Sequence, residues 1–346
     1  MKSVQFHGHG GHDVVQYDEV PDPTPGPEEV KIDVKAAALN HLDVWTRRGM
    51  PGIDLEMPHT PGSDAAGVVV EVGENVERFE QNDRVAVSAG VACGRCEFCR
   101  DGEASMCVRY QIIGEHRPGV HAEYATVPAD NLVPVPEGVD WEVAGSASLV
   151  FQTAWRMLVS RADLSPTDSV LVLGASGGVG HAAVQIADHV GGEVYATAST
   201  EEKLGYAADC GADHVIDYTE KNYADRIREL TGKRGVDVVV DHVAGESWSD
   251  SLASLAKGGK LVTCGATAGG QPHTDVNRIF WNQLSVLGST MATPGEADDA
   301  LSLVWDGTFE PRIREVVPMS EAARGHEMLE NREGFGKVVL KPDSEL

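Results

Sequence analysis

The 346-residue chain has no apolar run approaching the ~18 residues that a membrane-spanning helix needs. Its opening, M-K-S-V-Q-F-H-G-H-G, lacks the apolar stretch of a secretory signal, so a cytoplasmic protein is expected. Positive charge is scarce. Only 28 Lys and Arg stand against 54 Asp and Glu, a formal net charge of −26. That balance removes nucleic acid from the expected partners. Lysine is the scarcer cation, 10 against 18 arginines. The acidic residues are spread thinly rather than gathered in a tail. Such an excess destabilises the compact state at low salt and is a lever that halophiles use, so a high-salt cytoplasm is expected. Internal repeats and low-complexity tracts are also missing. The hydrophobic fraction, 42%, is enough for ordinary cores, and the length suits two domains.

What is present begins with residues 170–180, V-L-V-L-G-A-S-G-G-V-G. Four apolar residues predict a short buried strand, and residues 181–190 predict a helix after the glycines. Strand, glycine turn and helix form the context in which a glycine fingerprint binds a dinucleotide. Gly174, Gly177, Gly178 and Gly180 give the turn, the close approach of a ligand and the helix packing. The free N–H groups around Ser176, Gly177, Gly178 and Val179, with the helix dipole behind them, suit a pyrophosphate.

The next strand, expected at 193–198, ends on Ala198 and Ser199. An NAD site places Asp or Glu there to bind the ribose 2′-hydroxyl. The missing carboxylate, with Ser199, Thr200 and Lys203 as donors, favours NADP(H) over NAD(H). Glu201 and Glu202 are assigned to the dipole of the following helix start.

Residues 1–140 read as β-rich, with strands at 30–35, 66–72 and 83–87 and a proline-rich loop at 21–27. From 151 the texture changes to alternating strands and helices. Strands at 170–173, 194–198, 214–217, 236–241, 260–264 and 285–287, with helices such as 223–230 between them, predict a doubly wound parallel sheet. Helices at 296–304 and 322–331 and a last strand at 337–340 follow. Of six cysteines, Cys93, Cys96, Cys99 and Cys107 form a C-x2-C-x2-C-x7-C run. Four thiolates close a tetrahedral Zn²⁺ with no open position, which makes the site structural. An iron–sulfur cluster is the rival.

Taken together, A-L-N-H-L-D at 38–43, P-G-S-D-A-A-G at 61–67, the cysteine lobe and G-A-S-G-G-V-G resemble the medium-chain dehydrogenase/reductase superfamily over essentially the full length. The resemblance implies a GroES-like β-rich catalytic domain from 1–150 and 288–346, with a Rossmann domain inserted at 151–287. It implies an active site in the interdomain cleft and a homodimer or homotetramer, dimers often pairing through the last Rossmann strand. It places Thr153 beside the nicotinamide and Tyr218 near the adenosine. Lys337, at the start of the last strand, is taken as a further cofactor contact.

Zinc alcohol dehydrogenases bind a catalytic metal at positions that match Asn40, Ser63 with Asp64, and Leu149. The strong ligands are missing here. Asn40-His-Leu-Asp43 resembles the N-x-x-D of quinone oxidoreductases and zeta-crystallin-like enzymes, which lack catalytic zinc and use NADPH; those usually lack the cysteine lobe. The tyrosine that enoyl-thioester reductases use shortly after this stretch is absent from 48–52. Asn40 is expected to donate to a carbonyl oxygen, His41 to deliver a proton, Asp43 to orient Asn40, and His116 to line the substrate pocket. The expected activity is NADPH-dependent reduction of a quinone, enone or other activated carbonyl without catalytic zinc. The alternative is a zinc-dependent alcohol or polyol dehydrogenase whose metal sits on His41, His59, Asp64 or His116. A third reading is a cofactor-binding protein without turnover.

Overall fold

The computed structural model of the chain describes residues 1–332 and 334–346. They form two compact units: residues 1–149 with 292–332 and 337–346, and residues 150–291 with 334–336.

The first unit is built on a seven-stranded sheet. Its central strand, Glu29–Ala38, alternates Val30, Ile32 and Val34, fully buried, with the half-buried Lys31, Asp33 and Lys35. That period of two gives the strand one core face. Asp64–Val72 and Tyr124–Pro128 pair antiparallel with it. The last strand, Lys337–Lys341, pairs with its far end at Ala37 and Ala38. This pairing brings a residue from near the C-terminus beside the start of the helix His41–Arg48.

The second unit is the expected doubly wound sheet. Six strands, all parallel, lie in the order His214–Asp217, Glu193–Ala198, Ser169–Val172, Val236–Val240, Leu255–Thr263, Ser285–Gly288. Helices such as Gly178–Val190 and Tyr223–Leu230 cross between them. Leu171, Val239, Leu261, Ile227 and Leu252 join in its core, each buried side chain contributing roughly 1.5–3 kcal/mol. The strand order turns around between Ser169–Val172 and Val236–Val240. In open α/β sheets the crevice beyond the carboxyl ends of those two strands is where ligands bind.

Two departures from the sequence expectation have plain causes. The strand expected at 236–241 stops at Val240, because Asp241 turns its carboxylate onto the N–H groups of Val243 and Ala244. The helix Trp141–Trp155 has no counterpart among the expected elements. It is apolar nearly all round, so no amphipathic stripe marks it.

Candidate active site

In the second unit the glycine loop is a backbone site. Gly174 follows the first strand with φ +59° and accepts the N–H of Gly177 at 2.9 Å. The next helix begins at Gly178, and its first ladder bond runs from His181 N–H to the Gly177 carbonyl. The N–H groups of Gly178, Val179 and Gly180 therefore have no partner within the helix. A Cβ on Gly180 would lie 2.1 Å from the Gly174 oxygen, so only glycine lets the helix sit this close. A Cβ on Gly177 would meet nothing nearer than 3.4 Å, which leaves that face open to a ligand. The Ser176 carbonyl accepts the N–H of Gly336. These features fit a dinucleotide pyrophosphate.

The strand Glu193–Ala198 ends without a carboxylate, and Ser199 follows half-buried. Thr200 caps the helix Glu201–Asp209, its hydroxyl accepting Lys203 N–H at 3.3 Å. The Tyr218 N–H reaches the Ala198 carbonyl at 3.2 Å, which sets the exposed Tyr218 ring at the same strand tip. Thr153 is buried, its hydroxyl 3.9 Å from the Met291 sulfur.

In the first unit a buried polar cluster gathers where the resemblance expects a metal. Asn40 caps the helix His41–Arg48, and its N–H donates to Asp43 at 2.7 Å. The second Asp43 oxygen accepts Gly62 N–H at 3.0 Å. Asp64, fully buried, accepts from Leu149 N–H at 2.7 Å, the Asn40 amide at 3.0 Å and the Lys337 ammonium at 3.1 Å. Lys337 also donates to Asn40 Oδ1, which fixes the orientation of that amide. His121 is fully buried beside Asp43, and burial lowers its pKa. Burial raises the pKa of Asp43, opposed by His121, the Asn40 N–H and Lys337.

Several expected roles change on this geometry. The Asn40 amide hydrogens, expected to face a carbonyl oxygen, turn to Asp64 and to the Ala38 carbonyl. Lys337, expected at the cofactor, holds its ammonium inside this cluster. Asp43 does tie down the Asn40 backbone. His41 is exposed, with Trp45 as a ring neighbour at 6.3 Å. His116 accepts Ile112 N–H and lines a surface cavity with Cys93, Arg109 and Tyr110, beside the cysteine lobe. His59 donates to the Gly114 carbonyl at 3.0 Å.

The donor set does not fit a catalytic zinc. Asp64 already has three donors, Ser63 donates to the Ile113 carbonyl, and Leu149 offers only an N–H. An ammonium 3.1 Å from the one carboxylate would repel a divalent cation. Among the described residues, the one group of three or more His, Cys, Asp or Glu that converges on a common point is Cys93, Cys96, Cys99 and Cys107. Their sulfurs lie within 4.8 Å of one another. A tetrahedral zinc at ~2.3 Å per thiolate fits them. The N–H groups of Cys93 and Arg109 point at the Cys107 sulfur, and backbone N–H groups draw the Cys93 thiol down to about 6.

Residues 26–137 match the alcohol dehydrogenase GroES-like domain, and residues 178–306 the zinc-binding dehydrogenase domain. An acryloyl-coenzyme A reductase of Sulfurisphaera tokodaii is 33% identical over 94% of this chain and 96% of its own. The chain belongs to the medium-chain dehydrogenase/reductase superfamily. As a member of that superfamily it is an NAD(P)-dependent oxidoreductase. A quinone oxidoreductase of Pseudomonas aeruginosa is 32% identical over 99% of both chains. A crystal structure described as an NAD-dependent alcohol dehydrogenase superposes with a TM-score of 0.95 at 43% identity, covering 99% of both chains. No described helix is long and apolar enough to cross a membrane.

Sequence reasoning missed His121 and the pairing of Lys337 with Asp64, which are 273 residues apart. It also missed Glu115, buried with one carboxylate oxygen that accepts no hydrogen bond and has His116 Nδ1 3.7 Å away, and whose pKa burial pushes up to about 7. No spacing signal marks any of them.

Proposed function

We propose that the chain reduces a quinone, enone or other activated carbonyl with NADPH, without a catalytic metal. One observation carries this reading: a lysine, an aspartate and an asparagine hold one another where the resemblance expects zinc ligands. A bound nicotinamide would supply the hydride. The carbonyl oxygen then gains negative charge, which needs a donor or a cation. Lys337 spends two of its three N–H bonds on Asn40 and Asp64. We assign the third to the developing oxyanion, with Asn40 and Asp64 holding the ammonium in place. Losing one such donor typically costs ~10²–10³ in rate. A reduced quinone takes its protons from water, which removes the need for a dedicated acid.

NADPH is favoured because nothing acidic stands at 198–200 to repel a 2′-phosphate, and Ser199 and Lys203 are nearby donors. The first unit, on this reading, supplies the substrate chemistry and the second the cofactor. The four cysteines hold one structural zinc. A homodimer forms through the edge strand Ser285–Gly288 and its apolar neighbours, since Val276, Phe280, Trp281 and Val286 are all exposed.

The relatives' names span acryloyl thioesters, quinones and alcohols. The alcohol dehydrogenase reading is favoured by the 43%-identical solved relative. Cofactor oxidation measured over a panel of quinones, enones, aldehydes and enoyl thioesters separates the readings. The expected result is turnover of quinones or enones with NADPH preferred. Activity confined to alcohol oxidation with NAD would overturn it.

A further inference from the structure

Two residues past the strand Val236–Val240, at the carboxyl end of the sheet where the strand order turns around, stands His242. Its Nε2 lies 3.3 Å from where a Cβ on Gly174 would be, so the ring sits against the opening residue of the glycine loop. The turn that carries it is clamped from several sides. Asp241, fully buried, accepts Val243 and Ala244 N–H on one oxygen and the Ser251 hydroxyl on the other. The Thr267 N–H donates to the His242 carbonyl at 3.3 Å. Ala244 is held at φ +53°, a conformation that costs a non-glycine residue of order 1 kcal/mol and persists where the surroundings enforce it.

This rigid support ends in a side chain that makes no hydrogen bond. Nδ1 is buried without a partner, and no side-chain bond engages the ring among the described residues. Nδ1 stays unpaired in any case; it is Nε2, the nitrogen nearest Gly174, whose hydrogen-bonding capacity packing alone would leave unused. Burial lowers its pKa, so near neutral pH it is a neutral imidazole with one N–H and one bare nitrogen.

We propose that His242 is a cofactor-binding residue, its Nε2–H donating to the ribose-diphosphate part of the dinucleotide held on the glycine loop. The inference rests on the reading of that loop as the nicotinamide cofactor site. Because the contact is to the part common to both cofactors, it serves NADPH and NADH alike and leaves discrimination to Ser199 and Lys203.

Fluorescence titrations with NADPH and NADH on the full chain test this, with melting temperatures taken alongside. His242→Ala should raise both dissociation constants about tenfold, the worth of one hydrogen bond. His242→Gln, whose amide reaches the Nε2 position, should recover most of the loss. His242→Asn, which reaches only Nδ1, should not. If the wild type binds cofactor and the folded Ala variant binds equally well, the assignment is wrong. Rescue by Asn instead of Gln, or a loss confined to NADPH, would overturn the placement. Should His242→Ala not fold, the Gln and Asn pair still decides. A wild type that binds neither cofactor would instead refute the cofactor-site reading itself.

Discussion

The two units build their sites from different materials. The second unit uses backbone: N–H groups at a helix start that the helix itself leaves without partners, and glycines at positions that reject a Cβ. The first uses side chains: a buried ammonium, a buried carboxylate and an amide that satisfy one another. A backbone site tolerates many sequences provided the glycines stay, and it is written locally. A side-chain site depends on partners delivered by distant strands, and each partner removed leaves a buried polar group uncompensated.

The largest expected effect breaks the side-chain site. Lys337→Met should cost about 3–5 kcal/mol, because Asp64 then keeps a buried charge without its cation. Adding Asp64→Asn should restore most of that loss, and denaturant melts of the two single variants and the double variant read it. Strictly additive losses would mean that the pair is not coupled.

Glu115 gives the next effect, through pH. Its folded pKa, about 7, lies above the ordinary value of 4.5, so the native state binds the extra proton. The associated stability is full below pH 4.5 and is lost as pH rises through 7. The cost by pH 8 is up to ~3 kcal/mol. Glu115→Gln should therefore melt higher than wild type at pH 8 and show a flatter profile between pH 5 and 8. Equal melting at pH 8 would mean that His116, 3.7 Å away, or water compensates the carboxylate.

On the backbone side, Gly180→Ala puts a methyl group 2.1 Å from the Gly174 oxygen. The loop must move, at about 1–3 kcal/mol, and cofactor affinity should fall while the first unit is untouched. Isothermal titration with NADPH checks it. The smallest effect per site is spread over the surface. If the charge of −26 is a halophilic adaptation, the melting temperature should rise from dilute buffer to molar KCl. A flat response would leave the acidity without that explanation.

The same contrast explains what the sequence made legible. The glycine loop, all six strands of the parallel sheet and the helix Tyr223–Leu230 follow from patterns a few residues long. The cysteine lobe is likewise local, and its four sulfurs converge. Asn40 and Asp64 were legible as positions, because short motifs flag them, but not in their roles. The partner that orients the Asn40 amide sits 297 residues away on Lys337, and only the pairing of the last strand with Glu29–Ala38 brings it there. Nothing local marks Glu115, which follows the turn residue Gly114, as buried, and nothing around His242 marks its Nδ1 as enclosed.

Metal content measured together with turnover tests the central claim most directly. Purified protein, with intact thiols, should carry one zinc per chain, lost in Cys96→Ser. Chelator treatment that leaves this zinc in place should not change NADPH-dependent reduction of a quinone or enone. A second metal per chain, whose removal abolishes turnover while the cysteine lobe stays loaded, would contradict the account and show that the Lys337–Asp64 pair opens to admit a catalytic ion.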